Sequence, residues 1–102
     1  MRYLTLAADY TQSCLKNDFE GYIEPETINL PPSLCANLRS WNQAYKHIIP
    51  LDMKQRCENK NYKTIERLDV QGKTLAEEIK QAINDSVKIR YFSEGLLRYL
   101  DI

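Results

Sequence analysis

Val87-Lys88-Ile89-Arg90-Tyr91-Phe92 alternates in character: Val87, Ile89 and Tyr91 are separated by Lys88, Arg90 and Phe92. Successive side chains of a strand point to opposite faces, so the alternation predicts a β-strand that buries its odd-numbered residues. A second β-compatible run, Tyr3 to Ala8, lies near the other end of the chain and is closed by Asp9. The chain between them is helical in period. Pro31-Pro32 suits a first helical turn, and Leu34, Leu38, Trp41, Tyr45 and Ile48 then recur at intervals of four, three, four and three. Pro50 pushes Ile49 out of the helical region and ends the segment. A second helical pattern runs from about Tyr62 to Asn84, with Ile65, Leu68, Gly72, Leu75 and Ile79 on one face. Gly72 costs a helix roughly 1 kcal/mol relative to alanine, so its place on the apolar stripe predicts close approach of another element.

Ser93 is a good N-cap and predicts a short last helix carrying Leu96, Leu97 and Leu100. Between Asp18 and Leu30, Tyr22, Ile23 and Ile28 suggest a third strand that Pro25 confines to an edge. The expected fold is therefore α/β: two long helices packed on a small sheet of two or three strands, plus a short C-terminal helix. Residues 1–102 form one domain in this reading, since 102 residues suffice for one modest core. Trp41 and Tyr45 belong to that core, whereas Asn42, Gln43, Lys46 and His47 fall on the outer side of the helix.

Composition excludes several functions. The 14 Lys and Arg balance the 14 Asp and Glu, which argues against a general nucleic-acid binder. Arg or Lys stands beside Tyr at Arg2-Tyr3, Tyr45-Lys46, Tyr62-Lys63, Arg90-Tyr91 and Arg98-Tyr99, but these pairs are scattered over different elements. The apolar run at the N-terminus is too short for a signal-peptide core, and no stretch approaches a membrane span. Cys14, Cys35 and Cys57 cannot all pair, and none lies in a C-x-x-C; structural thiols in a reduced cytoplasmic protein are the expectation.

No catalytic set stands out. Cys35 and His47 lie about 18 Å apart along one helix, too far for a nucleophile and its base. One histidine makes a zinc site improbable, and Ser93-Glu94-Gly95 lacks the leading glycine of a nucleophile elbow. The sequence thus predicts no enzyme activity, no cofactor and no bound metal.

Charge is unevenly placed. Asp9, Asp18, Glu20, Glu24 and Glu26 outnumber Arg2 and Lys16 in the first thirty residues, while Lys46 to Lys63 is basic. If the runs Tyr3–Ala8 and Val87–Phe92 are parallel neighbours, Asp9 and Ser93-Glu94 emerge at the same edge of the sheet, where open α/β sheets favour ligands. A solvated acidic face is the plain reading. The functional one is an interface for a basic partner, with Asp9, Asp18, Glu20 and Glu94 supplying charge and Tyr22 an aromatic anchor.

The runs LAADYTQS, WNQAYKHIIPL, LDVQGKTLAEEIK and VKIRYFSEGLLRYL cover much of the chain. Together they resemble small bacterial immunity proteins of contact-dependent growth inhibition and related polymorphic toxin systems. The resemblance implies a cytoplasmic, non-enzymatic protein that binds one cognate toxin and blocks its active site. Such toxins are commonly nucleases with basic clefts, some acting on transfer RNA; direct nucleic-acid or membrane binding is not implied. The residues alone leave open a small enzyme or nucleic-acid-binding protein using Asp9, Ser93 and Glu94, or a structural homodimer.

Overall fold

The computed structural model describes residues 2–10, 12–83 and 87–102. Its strands are β1 (Arg2–Leu6), β2 (Leu15–Asn17), β3 (Gly21–Ile23), β4 (Val87–Ser93) and β5 (Arg98–Leu100). Its α-helices are α1 (Pro32–Tyr45), α2 (Met53–Arg56) and α3 (Asn59–Ala82). The strands form one mixed sheet in the order β3-β2-β1-β4-β5. Central β1 runs parallel to β4, with Leu4 opposite Ile89 and Leu6 opposite Tyr91, and antiparallel to β2.

The expected architecture is corrected in three places. The sheet has five strands, not two or three: the two strands not expected, β2 and β5, are only three residues each and too short to print an alternation. There is one long helix, the 24-residue α3; α1 stops at Tyr45 after 14 residues, and Lys46–Pro50 continue as turns. The last helix is absent. Ser93 Oγ does accept a hydrogen bond from the Leu96 amide at 3.0 Å, as a cap would, but the turn it closes ends at Leu97 in the left-handed region, φ 56°. No helix propagates through that conformation. Arg98–Leu100 instead pairs antiparallel with β4.

Smaller differences follow from local chemistry. The strand expected between Tyr22 and Ile28 stops at Ile23, because Pro25 opens a 3-10 turn over Pro25–Ile28. Four-residue α2 forms where Asp52 and Gln55 build a capping box: Asp52 Oδ1 accepts from the Gln55 amide at 2.8 Å, and Gln55 Oε1 accepts from the Asp52 amide at 3.0 Å. Asn84, the expected end of the second helix, lies outside the described residues.

Both α1 and α3 lie on one face of the sheet. Leu4, Leu6, Leu15, Ile89 and Tyr91 point towards Leu38, Trp41, Ile65, Leu68 and Ile79, and all are buried. Gly72 lets this happen: a Cβ there would stand 2.3 Å from the Tyr91 ring. Trp41 Nε1 donates to the Leu68 carbonyl at 2.8 Å and its ring meets Tyr45 edge-on, so the tryptophan ties α1 to α3.

A buried carboxylate completes this layer. Asp69 accepts hydrogen bonds from the hydroxyls of Tyr45 at 2.8 Å, Tyr91 at 2.6 Å and Ser93 at 2.7 Å. Burial, together with the nearby Asp69 charge, pushes both tyrosine phenols well above their ordinary value and keeps them protonated donors. The other face of the sheet carries no helix among the described residues.

Candidate functional site

On the open face, near the carboxyl ends of β1 and β4, lies a shallow concavity of about 250 Å³. Asp9, Asp18, Tyr22 and Glu94 line it together, although they come from four separate parts of the chain. Glu20 does not line it; it sits exposed in the turn after β2, with its amide donating to Asn17 Oδ1 at 3.2 Å.

Each of the four is held by identifiable contacts. Beyond β1, the Asp9 amide donates to Asn42 Oδ1 at 2.9 Å, which fixes the loop to α1. This explains why Asn42 is buried rather than on the outer side of its helix. Asp9 Oδ2 in turn accepts from the Tyr22 hydroxyl at 3.0 Å, and that bond raises the phenol above its ordinary value. Asp18 accepts from Thr5 Oγ1 at 2.8 Å and pairs with Arg90 Nη2 at 3.2 Å.

Glu94 is positioned through its own backbone. Buried Arg56 donates Nη1 to the Glu94 carbonyl at 2.6 Å, Nη2 to the Ile49 carbonyl at 2.8 Å and Nε to the Leu51 carbonyl at 2.9 Å. One guanidinium thus clamps the segment after α1 to the β4–β5 turn. Partial burial raises the Glu94 carboxyl; nearby Arg56 works against this and the Asp9 charge adds to it. Gly95 is required in the same turn, since a Cβ would meet Ile65 at 2.6 Å and the Tyr45 hydroxyl at 2.8 Å.

The remaining chemical candidates do not assemble here. Ser93 is 0% exposed and donates to Asp69 on the helix-covered face, whereas Glu94 lines the open concavity. Asp9, Ser93 and Glu94 therefore do not share a site. Cys35 Sγ donates to the Leu30 carbonyl at 3.5 Å, while His47 is exposed beyond the end of α1. Glu24 and Glu26 belong to a different surface, where both pair with Arg39 at 3.2 and 2.5 Å.

Sequence reasoning missed the cations of this face. The Arg90 guanidinium stacks 4.6 Å from the Tyr99 ring centre, and Lys16 lies 5.9 Å from that of Tyr22. The signal for Arg90 was present, since it alternates with the buried residues of VKIRYF. A helical reading of Leu96 to Leu100 separates Tyr99 from Arg90, and Lys16 lies in a strand of three residues that shows no period, so the sequence places neither beside a partner.

What these residues form is an open concavity rather than an enclosed pocket. Residues 2–94 match the family of Serratia CdiI immunity protein-like chains. The chain belongs to that family, the immunity proteins of contact-dependent growth inhibition that the four sequence runs resemble. No curated protein matches the chain. No helix among the described residues is long and apolar enough to cross a membrane.

Proposed function

We propose that this protein neutralises one cognate toxin, a nuclease, by binding it in the cytoplasm and covering its active site, with no catalysis of its own. The observation that carries the reading is the meeting of Asp9 and Glu94 at the carboxyl ends of two parallel strands, with Asp18 and Tyr22 on the same concavity. A basic cleft that evolved to hold phosphates is complementary to such an acidic rim, and complementary charge steers association and rejects wrong partners. Tyr22 is 49% exposed yet tethered by its hydroxyl, which suits an aromatic anchor.

The test is a binding and inhibition measurement with the cognate toxin domain. The parent chain is expected to bind it and to abolish its nucleolytic activity, while the chain alone turns over neither RNA nor ester substrates. Reversing Asp9, Asp18, Glu20 and Glu94 together should lower the association rate and flatten its dependence on salt. Unchanged affinity in that fourfold variant would show the acidic rim to be a solvated face. Contact would then be sought on the basic segment Lys46–Lys63.

A further inference from the structure

The concavity that holds the acidic residues also gathers cations, Lys16 and Arg90, on the same open face. The outward residues in register across four strands are Tyr22, Lys16, Thr5 and Arg90, and Tyr99 of the fifth strand folds over the Arg90 guanidinium. The row therefore reads ring, cation, hydroxyl, cation, ring. Its terminal tyrosines are 49% and 53% exposed. Two residues closer to the start of β1, Tyr3 stands opposite Lys88, and its ring meets the 79%-exposed Phe19 edge-on at 5.6 Å. Three cations thus face outward, and Asp18 pairs with only one of them, Arg90.

We infer that this row is the centre of the toxin-binding surface, and that the toxin meets it with carboxylates while placing its own cations against Asp9 and Glu94. The inference rests on the immunity reading and adds the partner's charge order. A cation held against a ring is oriented before the partner arrives, so less freedom is lost when a carboxylate docks on it. Hydroxyl-bearing rings at both ends of the row supply rigid contact area at low entropic cost. The charge order also selects the partner class. Single-stranded nucleic acid would need free ring faces beside free cations. Here the two terminal tyrosines of the row already carry its cations, Asp18 lies within the row, and Asp9 and Glu94 border it. A phosphate chain crossing this face would meet three carboxylates; a protein surface of mixed charge can match both signs.

The experiment measures affinity and kinetics against the cognate toxin domain, first for the parent. Three variants follow, each with a melt to confirm folding: Lys16→Glu with Lys88→Glu, Tyr22→Ala with Tyr99→Ala, and Lys54→Glu with Lys63→Glu on α2 and α3 as control. Cation reversal should weaken binding at least about tenfold, mainly through slower association with an altered salt dependence. Loss of the rings should weaken it about 30-fold or more, mainly through faster dissociation. The control should bind like the parent. If the parent binds and both face variants bind equally well, the face is not the interface and the inference falls while the immunity reading stands. A parent chain that sediments as a dimer, split by Tyr22→Ala with Tyr99→Ala, would assign the face to a second copy and overturn it. Capture of a single-stranded RNA oligonucleotide, abolished by the same variant, would overturn it too. No binding by the parent removes the immunity reading and this inference with it.

Discussion

The two faces of the sheet are made by the same strands, yet they treat polar groups in opposite ways. On the covered face each polar group has short, fixed partners: Asp69 takes three hydroxyls, and Trp41 donates to the Leu68 carbonyl. Among the described residues no buried side-chain nitrogen or oxygen lacks a partner. On the open face the partners are rings and water-exposed ions, such as Arg90 with Tyr99 and Asp18. Removing a partner from the dry side leaves an orphaned group that costs its full desolvation, whereas water replaces a lost partner on the wet side. The covered face can therefore specify the fold and the open face is free to specify a partner.

The sharpest test of that contrast sets tryptophan against tyrosine. Trp41→Ala should cost roughly 3–5 kcal/mol, because it leaves a cavity and removes the donor to Leu68, and this could unfold so small a domain. A denaturant melt in which that variant is near-neutral would break the comparison. Gly72→Ala comes next. Alanine gains a helix roughly 1 kcal/mol, but its Cβ would stand 2.3 Å from a fully buried Tyr91 ring with nowhere to go. Overpacking of that kind costs roughly 1–3 kcal/mol, so the net effect should be destabilising. A double-mutant cycle with Tyr91→Leu should recover part of the loss; strict additivity would show that the clash is relieved elsewhere.

On the open face, Tyr99→Ala should lower stability by about 1 kcal/mol or less, the worth of its contacts with Phe92 and Arg90. A loss in the melt as large as that of Trp41→Ala would make Tyr99 a core residue. The smallest effect belongs to the exposed Glu26–Arg39 pair. The hydrogen-bonded Arg39 guanidinium holds the Glu26 carboxyl down from its ordinary 4.5 to about 2. Since the folded value is depressed, its stabilisation is present above about pH 4.5 and lost as pH falls towards 2. Glu26→Gln should thus lower the melting temperature slightly at neutral pH, the pair being exposed, and the two profiles should converge as pH falls towards 2. Glu94 has the opposite sign: its raised carboxyl contributes stability at low pH that is lost as pH rises, so Glu94→Gln should not destabilise at pH 7.

What the sequence determined by itself was whatever repeats at the period of one element. Leu34, Leu38, Trp41 and Tyr45 announce the buried stripe of α1, and Val87, Ile89 and Tyr91 announce β4, because burial on one side imprints period 3.6 or period 2. Gly72 was legible for the same reason, as a gap in a stripe. Tertiary structure decided the rest. Strands of three residues are held by backbone hydrogen bonds open to any residue, so β2 and β5 left no pattern, and Leu96, Leu97 and Leu100 mimicked a helix. Asp69 lies in α3 between Leu68 and Val70, and only the arrival of Tyr45, Tyr91 and Ser93 from two other elements makes it a core residue. The open face divided likewise: charge and strand order single out Asp9, Asp18, Glu20, Tyr22 and Glu94, of which all but Glu20 share one concavity, while Lys16, Arg90 and Tyr99 become neighbours only through register. Local periodicity records which side of an element is buried; which polar groups meet across elements is fixed by long-range pairing, and pairing leaves no local trace.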